Sequence, residues 1–413
     1  MNIAHWFRRK VSAATRALTL MMPLPHGSGM KPNYESLARE GYMANSVVFA
    51  CIREIAEAAA GVPWQLYRAT ADGQRETVTG HPLLKLLDRP NPFQGRFELI
   101  ETLIGHLYLS GNGYLEAVGP YAGGGLKPPS AGGALKPGAG GRSIKPPTEL
   151  YALRPDRMVI LPDPTHFIRG YEYKVGGQSV KFSREQVMHL KLFHPLDDWY
   201  GLSPVQVAAL PVDKINASDR WNAALLQNSA VPSGALVSKK RLTDEQYGRL
   251  KSEMREQYQG VANARSPLLL EEDIDWKEIG TSPKEMDWIE GLKFSALQIA
   301  QIYNLPPELI GLTPATYQNR KEARKALYTE VVLPALARLT DALNSWLVPR
   351  FGDGLSLEID RSGIEALSEE TAALWERAGA STFLTVNEQR QMVGYDPLPD
   401  GHPRDTTPPT AKT

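Results

Sequence analysis

The chain has 413 residues, 42% of them hydrophobic and 22% charged, and its 46 Lys and Arg balance 46 Asp and Glu. That composition excludes a disordered chain and a collagen, and zero net charge argues against a dedicated nucleic-acid binder. One cysteine, Cys51, permits neither an intrachain disulfide nor a cysteine zinc site.

The zero balance hides polarity along the chain. Residues 1–40 hold six bases against two acids, whereas residues 353–413 hold eleven acids against five bases. The opening, MNIAHWFRRKVSAATRALTLMMPLP, sets a basic patch before the short apolar run Ala17–Met22, which Pro23 and Pro25 interrupt. No small-residue cleavage site follows, so residues 1–45 read as a basic N-terminal arm rather than a secretory signal. No stretch of 18 apolar residues is present, and no membrane contact is expected.

Residues 46–60 place Val48, Ile52, Ile55 and Ala59 at helical spacing, and WQLYR then alternates as a strand does. A short helix, a long apolar helix and a Gly111-Asn112-Gly113 hairpin turn follow, before a strand at Tyr114–Val118. Strand-sized pieces continue over residues 149–192, so the first 200 residues form an α+β unit. Residues 120–148 interrupt it with eight Gly, six Pro and no acid, which reads as a flexible, solvated insertion.

A helix over residues 204–230 starts with Ser203 as cap and Pro204 in its first turn. A small α/β module follows: a strand GALVS, a helix opened by the capping box Thr243–Gln246, and one or two strands in SPLLLEEDIDWKEI. Ser282–Glu285 is a second capping box, and it opens a helix to about Leu305. That helix is apolar on more than one side, with Trp288, Leu292 and Ile299 on one stripe and Leu297 on another, so more than one neighbour must bury it. Pro306-Pro307 ends it, Gly311–Asn319 is irregular, and a second long helix spans about Arg320–Leu347 with a kink at Pro334. A strand LSLEI and helices from Ser368 finish the chain.

No catalytic constellation emerges. His189 and His194 lack the H-E-x-x-H spacing, and neither a phosphate-cradling glycine loop nor a nucleophile elbow is present. In an extended strand Glu271, Asp273 and Asp275 share one face. That row reads as a solvated face or a subunit-contact surface, with a metal-dependent nuclease as the alternative. A monomeric scaffold or adaptor is the other competing reading. No cofactor and no metal are expected.

The order of parts is the informative feature: a small α/β module sits between two long helices, and a polar loop follows the second. This order resembles the portal protein of tailed bacteriophages, of the HK97 type. The pieces that carry the likeness include SVVFACIREIAEAAAGVPWQLYR, HPLLKLLDRPNP, LSGNGYLE, VMHLKLFHPLDDWYGLSPVQVAA, FSALQIAQIYNLPPELIGL, TYQNRKEARKALYTEVVLPALARLTDALN and VNEQRQMVGYDPLPDG. The insertion at 120–148 departs from the pattern. A phage and a phage-derived gene transfer agent would use the same protein.

The resemblance implies a portal fold and no enzyme. It makes residues 46–203 with a strand at 355–364 the wing, 204–230 and 284–305 the stem, 231–283 the clip, 306–354 the tunnel loop with its long helix, and 365–413 the crown and tail. It implies a homo-oligomeric ring, usually of twelve, at one capsid vertex of a virion assembled in the bacterial host cytoplasm. Double-stranded DNA would pass through the ring. The major capsid protein, the large terminase subunit and a head-completion adaptor would be its partners. In that scheme Thr313, Thr316, Tyr317, Gln318, Asn319, Arg320 and Lys321 line the channel. Lys239, Lys240, Arg241, Glu271, Asp273 and Asp275 dock partners at the clip, and Trp288, Leu292, Leu297 and Ile299 pack between subunits.

Overall fold

Helix α1, Ser46–Ala60, begins where Asn45 turns the chain out of a π-helical run at Leu37–Met43. The Asn45 Oδ1 accepts from the amides of Val47 and Val48, which meets two of the free donors at the helix start. Val48, Ile52, Ile55 and Ala59 are buried on the inner face. The computed structural model describes residues 33–69, 75–119, 146–165, 167–227, 234–238, 274–278, 288–381 and 383–393, with a few single positions besides. The expectations for the arm before residue 33, most of the 120–148 insertion, both capping boxes of the middle region and the tail beyond 398 lie outside the described residues.

After α1 come strands β1 (Trp64–Ala69) and β2 (Arg75–Thr77), then helices α2 (Pro82–Asp88) and α3 (Arg96–Ser110). Strands β3 (Asn112–Val118), β4 (Glu149–Leu153), β5 (Met158–Asp163), β6 (Phe167–Val175), β7 (Gln178–Ser183) and β8 (Val187–Lys191) follow. Three small antiparallel sheets result, in the orders β4-β3-β8, β5-β6-β7 and β11-β1-β2. The last draws β11, Leu355–Ile359, back from the far end of the chain to lie beside β1, with Leu66 opposite Leu357 and both buried. The Trp64 indole donates to Thr340 Oγ1 at 3.0 Å and fastens the same strand to a later helix.

Helix α4, Pro204–Val207, is one turn long and breaks at Ala208 before α5, Ala209–Gln227. Strands β9 (Gly234–Ser238) and β10 (Ile274–Glu278) pair antiparallel between α5 and α6, Trp288–Ile302. Helix α7 (Tyr317–Ala326), a π-helical stretch (Leu327–Val332) and α8 (Leu333–Trp346) follow in one run. Helices α9 (Ser368–Ala380) and α10 (Val386–Met392) come after β11.

A large core gathers α1, α3, the start of α5, the end of α6, and the π stretch with α8. A second, smaller core of Tyr114, Leu153, Met158, Ile160, Tyr171 and Val187 lies under the β5-β6-β7 sheet. The two meet at a junction that the sequence reading mistook for a hairpin. Gly111 caps α3 in the left-handed conformation, φ 78°, and Asn112 already belongs to β3, so Gly-Asn-Gly joins a helix to a strand. Asn112 Oδ1 accepts from the Gly201 amide at 2.8 Å and lies 3.0 Å from His189 Nε2. A methyl group on Gly201 would lie 2.0 Å from the Gly111 carbonyl oxygen, so this close approach admits only glycine.

Candidate functional site

The segment between α6 and α7 is shaped by its prolines. Pro306 and Pro307 cannot continue α6, and their carbonyls instead accept from the amides of Leu309 and Leu312 in tight turns. Thr316 then caps α7, its hydroxyl accepting from the Asn319 amide at 3.2 Å. The helix therefore starts at Tyr317, not near Arg320 as the sequence suggested. Tyr317, Gln318 and Asn319 belong to its first turn and not to a loop, because Thr316 supplies the cap that composition alone did not single out.

The candidate channel residues divide accordingly. The Thr313 hydroxyl is buried and has no hydrogen-bond partner among the described residues, so it is not offered to solvent. Tyr317 is 88% exposed, and Gln318, Asn319 and Arg320 are exposed with it. Gln318 also donates to Glu322 at 3.3 Å, one turn along the helix. Lys321 is half-buried. Arg324 pairs with Glu54 of α1 at 3.0 Å, an acid of the same chain.

Pro334 leaves its mark upstream. It stands in the first turn of α8, and the preceding residues widen into the π stretch Leu327–Val332. A proline has no amide hydrogen to donate and crowds the carbonyl one turn earlier, and a widened turn relieves both.

On the two long helices, burial separates one half from the other. Ile299 is fully buried in the chain's own core, so it cannot serve a subunit contact as proposed from sequence. It belongs to the large core that also holds α1 and α3. Leu292 is half-buried against the same core, Leu297 is half-buried, and only the backbone of Trp288 is described. Among the large side chains left in solvent are Ile289 at 78% and Phe294 at 62% on α6, and Trp221 at 41% on α5. The sequence reading did not select these three for a subunit contact, because periodicity alone does not say which of several apolar stripes its own chain covers.

Of the candidate docking residues, Asp275 lies on β10 opposite Val237. Lys239, Lys240, Arg241, Glu271 and Asp273 lie outside the described residues. Among the described residues no group of three or more His, Cys, Asp or Glu is placed to hold a metal. No described helix is long and apolar enough to cross a membrane.

The buried ionisable groups serve packing. His189 stacks on Tyr114 at 4.3 Å, and burial pushes its pKa down to about 3. His106, 3.0 Å from the Tyr34 hydroxyl, is held at about 4 by burial and then by Arg154. Burial drives the Cys51 thiol up to about 12, far from a reactive thiolate.

Comparison with known proteins gives these elements a common meaning. The phage portal protein family model matches residues 46–394. An uncharacterized protein of Rickettsia felis is 35% identical over 373 residues, covering 88% of this chain and 89% of the relative. The portal protein of Enterobacteria phage HK97 is 24% identical over 374 residues, covering 89% and 82%. Among solved structures, a chain from the neck of a native gene transfer agent (GTA) particle, computed with C12 symmetry, is 39% identical with a TM-score of 0.64. The match covers 94% of this chain and all of that one. The chain belongs to the phage portal protein family, of the HK97 type. Its function is that of a portal, an assembly component at the portal vertex of a virion.

Proposed function

We propose that copies of this chain assemble into a closed ring of about twelve around a channel for double-stranded DNA. The ring acts without catalysis: terminase drives DNA inward through it, and DNA later leaves by the same route. The large terminase subunit and a head-completion adaptor dock at the β9-β10 module, and the major capsid protein surrounds the wing. The higher identity to the GTA neck chain than to the HK97 portal supports a particle of the gene transfer agent type.

The observation that carries the ring is the uncovered apolar surface of α5 and α6. Ile289, Phe294 and Trp221 are exposed on the outer parts of helices whose inner parts are buried in the chain's own core. A repeated neighbour would cover the exposed Ile289 and Phe294. In this scheme the exposed first turn of α7, with Tyr317, Gln318, Asn319 and Arg320, is the part that meets DNA. One fixed positive charge among neutral hydrogen-bonding groups suits a surface past which DNA must slide, since each further phosphate contact adds to binding.

Size-exclusion chromatography with light scattering tests the assembly. Twelve copies of a 45.6 kDa chain should elute near half a megadalton, and negative-stain images should show rings with a central hole. A monodisperse monomer over the micromolar range would remove the proposal. Shortening residues 311–316 should leave rings intact and reduce the DNA that particles retain.

A further inference from the structure

The outer sides of α1 and α3 carry apolar side chains that the described chain leaves in solvent. On α1, Phe49, Arg53 and Glu57 are exposed at four-residue steps, and on α3 exposed Phe97 is followed at the same step by half-buried Glu101 and Gly105. The Arg96 guanidinium donates to the Val62 carbonyl just past the end of α1. The two helices therefore run antiparallel, and Phe49 lies beside the later turns of α3. The Tyr42 ring tilts against Phe49 at 5.1 Å, and burial, then the Glu101 carboxylate, push its phenol pKa up. Met43, next in the chain, is 75% exposed.

Two features mark this face as a seat. Gly105 stands in the middle of α3, where glycine weakens a helix and no turn requires it. A methyl group there would meet no atom within 4 Å, so the position is a notch in the ridge. The charge is also one-sided. Glu57, Glu98 and Glu101 border the apolar side chains, and Arg53, the base among them, pairs with Glu57 at 3.8 Å. Arg96, at the far end, lies 4.0 Å from Asp88. An excess of acid repels nucleic acid and suits a segment that is both basic and aromatic.

The chain itself holds such a segment. Residues 1–34 contain no acid, and Trp6-Phe7-Arg8-Arg9-Lys10 sets two aromatic rings beside three bases. Those five lie outside the described residues, but the point where the arm leaves the body is fixed: the Tyr34 hydroxyl lies 3.0 Å from His106 Nδ1 of α3. From His106 to Phe97 is about 14 Å of helix, and the 22 residues between Lys10 and Asn33 reach that several times over. We propose that Trp6–Lys10 dock on the α1–α3 face of their own copy, the rings among Met43, Phe49 and Phe97 beside the Gly105 notch, and the bases toward Glu57, Glu98 and Glu101. A tether of this length keeps the arm concentrated at its own face, which favours that seat over the same face of another copy. The seat needs no ring, so failure of the ring reading leaves it untouched.

Limited trypsin digestion of the full chain, read by mass spectrometry, tests the docking. Cleavage after Arg8, Arg9 and Lys10 should be about tenfold faster in the double variant Glu98→Lys, Glu101→Lys than in the parent, because it tracks the undocked population. Gly105→Phe, which fills the notch, should speed it to a similar degree, and should that variant not fold, the charge variant decides. Equal rates in parent and variants overturn the proposal, and so does protection that appears only when a DNA duplex is added. The occupant is checked by oxidising the full chain carrying Ala13→Cys and Gly105→Cys. The sole native cysteine, Cys51, is fully buried and stays silent. A disulfide within one chain, located by peptide mapping, is expected. A disulfide between chains would seat the arm on a second copy and overturn the proposal, as would no disulfide at all.

Discussion

The core around α1 and α3 and the outer half of the α5–α6 hairpin are both rich in apolar residues, yet only one of them is finished by its own chain. Around α1 and α3, Ile55, Leu103, Ile104 and Leu107 are almost wholly buried. Asn45 caps α1 and donates to Asn216 at 3.0 Å, and Asn216 donates on to the Glu40 carbonyl. Along α6, by contrast, full burial ends at Ser295, Phe294 is exposed and Ile289 is 78% exposed. The same residue types therefore mean stability in one place and association in the other. What separates them is whether the single chain supplies a second wall.

The sharpest way to break this comparison is a pair of substitutions. Leu103→Ala should cost about 2–5 kcal/mol of unfolding free energy, because it leaves a cavity in a closed core. Phe294→Ser, measured by urea unfolding under conditions that dissociate rings, should stay within about 0.5 kcal/mol. Equal losses would mean that the hairpin is part of the chain's own stability.

Next in size is the junction between the two cores. Gly201→Ala forces a methyl group onto the Gly111 carbonyl and should cost about 2–4 kcal/mol in the same urea experiment. A neutral result would show that the junction relaxes freely.

Acid should separate the regions as well. His106 and His189 have folded pKa values of about 4 and 3, below their ordinary value of 6.5. The unfolded chain therefore binds protons that the folded chain refuses, so stability is complete above pH 6.5 and falls as pH drops from there toward 3. None of the eight histidines lies in α5 or α6, so this loss belongs to the cores and not to the α5–α6 hairpin. His189→Gln should flatten the dependence of unfolding free energy on pH, and an unaltered slope would discount that histidine. The smallest effect is expected at the Arg324–Glu54 pair. Its arginine is 43% exposed, and Arg324→Ala should cost under about 1 kcal/mol.

Much of the fold was legible in the sequence because its signals are local. The period of α1, the proline stop at Pro306-Pro307 and the alternation of WQLYR each lie within a few residues, and each element formed. The Gly111–Asn112 junction was misread because a glycine pair around asparagine suits a hairpin and a helix-to-strand turn equally well. What decides between them is Gly201, ninety residues away and invisible to any local pattern. The start of α7 was placed three residues late for a smaller reason, since Thr316 is as good a cap as any polar neighbour. Of the candidate site, the existence of several apolar stripes on α6 could be read, but not which stripe stays open. Ile299 and Phe294 are equally apolar on paper, and only the position of α1 tells them apart.

The π stretch Leu327–Val332 sets an angle as well as accommodating a proline. A widened turn holds one more residue than an α-helical turn, and one residue corresponds to about 100° of rotation around a helix axis. Everything on α7 is therefore phased against α8 by that single extra residue. Without it, Arg324 would point roughly a quarter-turn away from Glu54, and the face bearing Tyr317 and Arg320 would swing by the same amount. The stretch works as a fixed wedge between two shafts, and its length is as specific a feature of this chain as any side chain it carries. One residue deleted there would leave every residue type in place and aim the front of α7 somewhere else.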